Sequence, residues 1–214
     1  MTAYIFGAGE YDGTAPALRP GDLVICADGG YLTAKRLGLR VDLAIGDFDS
    51  LGYAPELIGG SVVRLPVEKD ITDAEAAILA AEERGADELV LLGCTGGRPD
   101  HTLAAQQLLA AVAERGGRAY LVGDGFTAYA LHNGEVAFSE NATGTLSVFA
   151  VGKIARDVTI KGAKYTLEHA DLSPSVPLGV SNSFVGQGVF ISVGDGTLLI
   201  FAEGDSIREM THGR

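Results

Sequence analysis

At residues 43–50 the sequence reads Leu-Ala-Ile-Gly-Asp-Phe-Asp-Ser, a short apolar run that predicts a β-strand and ends in two aspartates. Since side chains alternate along an extended backbone, Asp47 and Asp49 point to the same side. Two carboxylates held this close repel each other unless a proton or a metal ion lies between them. Mg²⁺ suits such a pair, because one or two carboxylates plus substrate phosphates usually hold it. An acidic turn after a strand is the alternative interpretation.

Apolar runs and amphipathic runs alternate over residues 3–125. We predict strands at Ala3–Gly7, Asp22–Ala27, Leu43–Ile45, Val62–Leu65, Leu89–Leu92 and Ala119–Val122, and helices at Tyr31–Leu37, Asp73–Arg84 and Thr102–Arg115. This alternation predicts an α/β fold, a mainly parallel sheet with helices on both faces. Ligands of such sheets bind at the carboxyl ends of the strands. The polar segments described below fall at these strand ends.

Helical periodicity ends near Phe126, and short β-type runs follow. They span Glu135–Phe138, Thr145–Ala150, Ala155–Ile160, Gly188–Val193 and Thr197–Phe201. Turn-forming residues interrupt them at His132-Asn133-Gly134 and at Gly194-Asp195-Gly196. We therefore expect two domains, an α/β domain over residues 1–125 and an all-β domain of sandwich or barrel type over residues 126–214.

Composition and charge argue against several classes of protein. With 28 acidic and 16 basic residues, the 214-residue chain has a net charge of −12 and no basic cluster, which argues against nucleic acid as a partner. No apolar run is long enough to span a membrane, and the N-terminal residues lack a signal-peptide pattern, so we expect a cytoplasmic protein. Cys26 and Cys94 lie in apolar strands and are interpreted as buried thiols.

Two glycine-rich turns follow the first two strands. Gly7-Ala8-Gly9 suits either a tight turn or the approach of backbone N–H groups to phosphate, although it is not a complete dinucleotide fingerprint. A nicotinamide-dependent oxidoreductase is therefore a poor interpretation. In Ala27-Asp28-Gly29-Gly30, Asp28 is either a ligand or a helix cap. No P-loop pattern occurs in the chain.

The segment Lys69-Asp70-Ile71-Thr72-Asp73 precedes the second predicted helix, Asp73–Arg84. Thr72 with Glu75 has the spacing of a capping box, which makes Asp73 the first helical residue. An acid in the first turn suits the helix dipole, and this structural role is sufficient by itself. The alternative is that Asp73 joins Asp47 and Asp49 in a Mg²⁺ site, with Lys69 reaching a phosphate.

Three glycines within Gly93–Gly97 are followed by Arg98-Pro99-Asp100-His101 at the start of a helix. An arginine at such a turn is well placed to bind phosphate oxygens. Asp100 is an N-cap, a general base or a substrate ligand, and these alternatives stay open. For His101 a structural role is favoured over a catalytic one.

Six segments together resemble the thiamine pyrophosphokinase family. They occur in the family's order: Ala-Asp-Gly-Gly at 27–30, Gly-Asp-Phe-Asp-Ser at 46–50, Lys-Asp-Ile-Thr-Asp at 69–73, Gly-Gly-Arg-Pro-Asp-His at 96–101, Lys-Gly-Ala-Lys-Tyr at 161–165 and Ser-Asn at 181–182. The resemblance implies transfer of the pyrophosphoryl group of ATP to the hydroxyethyl group of thiamine, giving thiamine diphosphate and AMP. It also implies Mg²⁺, an ATP-binding α/β domain, and a homodimer that holds thiamine at the subunit interface.

Carried over by position, the resemblance implies a role for each residue of the site. The Mg²⁺ carboxylates, which are also catalytic, are Asp47, Asp49 and Asp73. Asp100 is a further catalytic residue. The residues that bind the nucleotide and its phosphates are Asp28, Gly29, Lys69, Thr72, Arg98 and His101. Ser181 and Asn182 are the thiamine-binding residues. The acceptor of the hydroxyl proton is either Asp100 or one of the Mg²⁺ carboxylates.

The chain departs from the family at two points. Members often carry proline where this chain has Thr166, and some place a tryptophan against thiamine, whereas this chain has none. Tyr165 or Phe184 is the alternative aromatic candidate. Two other functions remain to be compared with the structure: a diphosphokinase acting on another hydroxymethyl heterocycle such as a pterin, and a non-catalytic nucleotide sensor.

Overall fold

The computed structural model describes residues 1–48, 51, 60–204 and 206–213, and it divides the chain into two compact units. The N-terminal unit comprises Met1–Ala105 and Leu121–Asp124, and the C-terminal unit comprises Gln106–Tyr120 and Gly125–Arg214. Packing thus assigns Gln106–Tyr120 to the C-terminal unit. The boundary that we expect between residues 125 and 126 stays a prediction.

Strands and helices alternate from the N-terminus up to residue 122. The elements are β1 (Thr2–Phe6), β2 (Leu23–Ala27), α1 (Gly30–Arg36), β3 (Leu43–Gly46), β4 (Ser61–Arg64), α2 (Asp73–Glu83), β5 (Glu88–Leu92), α3 (Pro99–Glu114) and β6 (Ala119–Val122). Five strands pair in parallel in the order β5-β1-β2-β3-β4. The predicted α/β fold is therefore confirmed.

Both faces of the parallel sheet are covered, as the continuous apolar strands require. Ile25 and Cys26 are neighbours in β2, point to opposite faces and are both fully buried. Helix α1 packs Tyr31 and Ala34 into the same apolar cluster as Cys26. Helix α2 contacts β1, β2 and β3 without contributing to that cluster, so it lies against the other face. No helix among the described residues is both long and apolar enough to cross a membrane.

From Gly125 onward the C-terminal unit consists mainly of antiparallel β-strands. Its strands are β7 (Phe126–Phe138), β8 (Thr145–Lys161), β9 (Leu167–Leu172), β10 (Gly179–Ser183), β11 (Val189–Glu203) and β12 (Met210–His212). They pair in the order β10-β8-β11-β7, with β12 beside β7 and β9 beside β8. An apolar cluster contributed mainly by β7, β8 and β11 forms the core. The predicted all-β character of this region is confirmed.

The strands of this unit are longer than the sequence predicted, because the turn-forming residues are bulges and not turns. His132-Asn133-Gly134 lies inside β7, and Gly194-Asp195-Gly196 lies inside β11. The pairing shifts from Val193 opposite Gly134 to Thr197 opposite His132. Asn133 has φ +44°, and its Oδ1 accepts a hydrogen bond of 2.8 Å from the Gly196 N–H. Residues that favour turns also favour bulges, so the sequence pattern does not distinguish the two.

Candidate active site

Two of the three predicted metal carboxylates converge on one lysine. The Nζ of Lys69 lies 2.9 Å from Oδ1 of Asp73 and 3.6 Å from Oδ2 of Asp47. Asp47 follows β3, whereas Asp73 opens α2, so the fold brings together residues 26 positions apart. Their side chains are 16% and 26% exposed, and that of Lys69 is 13% exposed. We call these three side chains the Lys69 cluster. The third predicted carboxylate, Asp49, lies outside the described residues.

The backbone around Asp47 is shaped by its two neighbours. Gly46 has φ +156°, and a side-chain carbon added there would lie 3.1 Å from the backbone of Asp28. Phe48 has φ +59° and is only 4% exposed, so its ring is anchored in the core. Gly46 packs closely against the backbone of Asp28 and the Phe48 ring is buried, so the backbone of Asp47 is fixed on both sides at the end of the strand.

Asp28 lies at the same edge of the sheet as Asp47. Its backbone N–H donates to the carbonyl of Ile45 at 2.9 Å, and its φ is +45°. The neighbouring strands β2 and β3 are parallel, so their carboxyl ends meet here. Gly29 follows as the residue before α1, and Gly30 approaches the carbonyl of Phe6 too closely for any side chain. Gly30 therefore has a packing role.

Thr72 is the N-cap of α2, as the capping-box spacing predicts. Its Oγ1 accepts a hydrogen bond of 3.1 Å from the N–H of Glu75. Asp73 and Glu75 are acidic residues in the first turn, where they suit the helix dipole. The cap fixes the start of α2 and thereby the position of Asp73.

The neighbouring carboxylates stabilise the protonated form of Lys69. Loss of water around the ammonium opposes the charged form, but hydrogen bonds and charge from Asp73 and Asp47 outweigh this and raise the pKa of Lys69. The lysine therefore stays protonated at neutral pH. It is a permanent positive charge between two carboxylates.

Arg98 and Asp100 bind each other at the start of α3. The guanidinium donates from Nε to Oδ1 at 3.2 Å and from Nη2 to Oδ2 at 2.5 Å. Both side chains are well exposed, at 68% and 63%. The pair raises the pKa of Arg98 and lowers the pKa of Asp100, mainly through these hydrogen bonds. His101 lies in the first turn of α3 and is exposed.

The glycine turn after β1 has a structural use. The N–H groups of Gly7, Gly9 and Glu10 donate to the carbonyls of Leu92, Gly93 and Thr95 at 2.7–2.9 Å. A side-chain carbon on Gly9 would lie 2.5 Å from the carbonyl oxygen of Thr95. Of the two interpretations left open by the sequence, the structure thus favours tight backbone pairing over phosphate binding. Nothing in the sequence pointed to Glu10, whose side chain lies against Gly96.

In the C-terminal unit, Asn182 is buried and bonded to backbone groups. It is 3% exposed. Its Oδ1 accepts from the N–H groups of Tyr165 and Ser183 at 2.9 Å, and its Nδ2 donates to the carbonyl of Tyr165 at 2.7 Å. Asn182 thus joins β10 to the Lys161–Tyr165 segment. The neighbouring Ser181 is exposed and has φ +58°.

The two aromatic candidates differ sharply in exposure. Phe184 is 8% exposed and packs against Phe138 with ring centroids 5.2 Å apart. Tyr165 is 59% exposed, and the Nζ of Lys164 lies 5.3 Å from the centroid of its ring. Of these two rings, that of Tyr165 is the one exposed to a ligand.

The donors of the Lys69 cluster fit a hard divalent cation. Among the described residues there is no group of three or more His, Cys, Asp or Glu side chains placed to hold a metal. Two carboxylates already gathered around one positive charge nevertheless match the way Mg²⁺ is bound, with phosphate oxygens and water completing its shell. Cys26 and Cys94 are free and buried, so the prediction of buried thiols is confirmed, and burial raises the pKa of each thiol to about 12.

Comparison with known proteins identifies what this chain is similar to. The family model for the catalytic domain of thiamin pyrophosphokinase matches residues 16–121, and the model for the vitamin B1 binding domain of the same enzyme matches residues 134–198. Thiamine pyrophosphokinase of Bacillus subtilis (strain 168) is 26% identical over 188 residues, which are 86% of this chain and 88% of the relative.

Solved structures agree with the family models. The crystal structure of thiamine pyrophosphokinase from Bacillus subtilis has a TM-score of 0.83 at 25% identity, covering 96% of this chain and 100% of that one. The structure of thiamin pyrophosphokinase from Geobacillus thermodenitrificans has a TM-score of 0.78 at 26% identity, with 96% and 99% coverage. The similarity therefore extends over both units.

Proposed function

We propose that the Lys69 cluster binds the phosphate groups of the substrate in the active site of this enzyme. The chain belongs to the thiamin pyrophosphokinase family, and its activity is that of a thiamine diphosphokinase. The substrates that we propose are ATP and thiamine, and the products are AMP and thiamine diphosphate. The observation that carries the proposal is the convergence of Asp47 and Asp73 on one positive charge at the carboxyl edge of the parallel sheet. This edge is where α/β sheets bind ligands.

The chemistry is transfer of an intact pyrophosphoryl group. The hydroxyethyl oxygen of thiamine forms a bond to the β-phosphorus of ATP, and the bond from that phosphorus to the oxygen shared with the α-phosphate breaks. AMP leaves with the electron pair of that bond, and the hydroxyl proton passes to a carboxylate or to water. Since the transition state of such reactions is loose, catalysis rests mainly on positioning and on compensation of charge.

We assign Asp47 and Asp73 as ligands of Mg²⁺, with Asp49 as the third ligand that the resemblance implies. When bound, Mg²⁺ neutralises charge on the phosphate oxygens of ATP. The support for this assignment is the oxygen donor set of the Lys69 cluster, which a divalent cation prefers to a softer metal. Asp28, Gly29 and Thr72 remain candidates for contacts with the nucleotide.

We assign Arg98 to the binding of phosphate, and we assign Asp100 to the orientation of Arg98. The exposed guanidinium is available to an anionic ligand, and its five N–H groups suit phosphate oxygens. The bidentate pair with Arg98 lowers the pKa of Asp100, which makes this carboxylate a weak base.

For thiamine we propose contacts with the exposed residues Ser181 and Tyr165, while Asn182 holds the Tyr165 backbone in place. The exposed ring of Tyr165 supports its choice over Phe184, because an accessible aromatic face attracts a cationic heterocycle. We further propose the homodimer that the family resemblance implies and the cytoplasmic location that we expect from the sequence. Analytical ultracentrifugation of the purified chain at micromolar concentration tests the dimer.

A product assay tests the function directly. The purified protein is incubated with ATP, Mg²⁺ and either thiamine or a hydroxymethylpterin, and AMP is measured by chromatography. AMP formation with thiamine alone is the expected result. AMP formation with the pterin alone would indicate a different diphosphokinase, and ATP binding without AMP would indicate a nucleotide sensor. Neither the fold nor the comparisons favour these two alternatives.

A further inference from the structure

Three oxygen atoms from separate positions surround the ammonium group of Lys69. They are Oδ1 of Asp73 at 2.9 Å, Oδ2 of Asp47 at 3.6 Å and the carbonyl oxygen of Pro66 at 3.5 Å. Two carboxylates and a carbonyl are also typical ligands of a hard metal ion. The ammonium group thus occupies a position with the donor chemistry of a cation site.

The Lys69 cluster gathers two carboxylates around one ammonium group. All three side chains are partly screened from water, with exposures between 13% and 26%. Without Lys69, the two negative charges would repel each other. With Lys69 in place they are held near one position, and their oxygens are ligands of the kind that a divalent cation binds.

We propose that Lys69 is a positioning residue that holds Asp47 and Asp73 together before a divalent cation binds, and that it is exchanged for that cation. The inference rests on the proposed function of the same site. A lysine suits exchange because its ammonium is a point charge on a flexible four-carbon stem, whereas an arginine fork would lock both carboxylates in place. Once displaced, the ammonium is free to meet an anionic ligand.

Exchange of the Lys69 ammonium for a metal ion has a measurable consequence, because the metal ion must displace the ammonium from Asp47 and Asp73. Lys69 therefore weakens the affinity of the ligand-free protein for a divalent cation while it stabilises the metal-free fold. A lysine that only binds phosphate would have neither effect. If the ordering of Asp47 and Asp73 by Lys69 outweighed the cost of displacing its ammonium, removal of the lysine would weaken metal binding.

The experiment is a titration with Mn²⁺ in the absence of ATP and thiamine, with free Mn²⁺ followed by electron paramagnetic resonance. In Lys69→Met we expect the Kd for Mn²⁺ to fall roughly three- to tenfold, the scale of one partly screened charge interaction. In EDTA the variant should unfold at a lower temperature than the unchanged protein. Saturating Mn²⁺ should raise its melting temperature by more than that of the unchanged protein.

Two further variants keep the result interpretable. Lys153→Met removes a lysine that pairs with Asp195 at the same 2.9 Å in the C-terminal unit, and it should leave the Kd for Mn²⁺ unchanged. Lys69→Gln keeps a polar side chain without charge, and it should repeat the tighter Mn²⁺ binding if Lys69→Met folds poorly. An unchanged or weaker affinity in a folded Lys69 variant overturns exchange. Because the titration contains no substrate, this outcome is independent of the AMP assay.

Discussion

The Lys69 cluster and the Asn182 amide hold their segments in opposite ways. Around Lys69, ion pairs with N···O distances of 2.9 and 3.6 Å hold Asp73 and Asp47. Around Asn182, a neutral carboxamide makes three hydrogen bonds to backbone groups of Tyr165 and Ser183. A charged cluster can give up one cation for another, whereas a buried neutral amide bonded to the backbone has no ion to exchange. The first therefore suits a ligand-binding edge and the second suits a permanent support.

The largest effect should come from breaking the charged cluster. We expect Asp47→Asn to lower the turnover of AMP formation by about 10²-fold or more, as for the loss of a strong electrostatic group at the transition state. The free energy of unfolding without ligands should change by less than about 1 kcal/mol, because one of two repelling charges is removed. Turnover and urea unfolding measure the two quantities.

A control for this change is Asp195→Asn, which removes a carboxylate from an exposed ion pair with Lys153 and should leave turnover unaffected. Near-normal turnover of Asp47→Asn at low Mg²⁺ would exclude Asp47 from the metal site. A large loss of stability in place of turnover would show that the Lys69 cluster supports the fold and not the reaction.

The support role of Asn182 predicts the reverse pattern. Asn182→Ala leaves the N–H groups of Tyr165 and Ser183 and the carbonyl of Tyr165 without their partner, and we expect the free energy of unfolding to fall by about 2 kcal/mol. Urea unfolding measures this loss. The exposed neighbour offers a matched control, since Ser181→Ala should change stability by less than about 0.5 kcal/mol. Equal effects at the two positions would contradict a permanent support.

Thr72 tests whether the site is held in place by a neutral hydrogen bond as well as by charge. We expect Thr72→Ala to lower the free energy of unfolding by about 1 kcal/mol, through loss of the N-cap bond to Glu75. Thr72→Ser retains the hydroxyl and should recover most of the loss. If serine and alanine behave alike in urea unfolding, the cap contributes nothing.

The smallest effect concerns the exposed pair of Arg98 and Asp100. Arg98 lowers the pKa of Asp100, so the stabilisation from this pair is fully present above the usual carboxyl pKa and is lost as pH falls through the lowered value. In Arg98→Gln the pKa of Asp100 should rise towards its usual value, as an NMR titration of the side-chain carboxyl would detect. An unchanged pKa would mean that the pair is not formed in solution.

The two units also differ in how well the sequence predicted them. Up to residue 122 each predicted strand and helix was found close to its expected bounds, because buried parallel strands are continuous apolar runs and helices have their own period. From Phe126 onward β9, β10 and β12 were not predicted, since Leu167–Leu172, Gly179–Ser183 and Met210–His212 are short and carry no continuous apolar run. Edge strands of this kind are defined by their pairing partners.

The sequence by itself determined that an α/β region is followed by a β-rich region, that Thr72 caps a helix, and which family the chain belongs to. These follow from local propensity and from short segments in a fixed order. Only the tertiary structure decided that Asp47 and Asp73 share one lysine, that the first glycine turn is used in backbone pairing, and that Asn182 is buried against Tyr165. The physical reason is that hydrogen bonds and ion pairs between distant residues depend on distances that the packing of strands sets, and a sequence pattern contains no such distances.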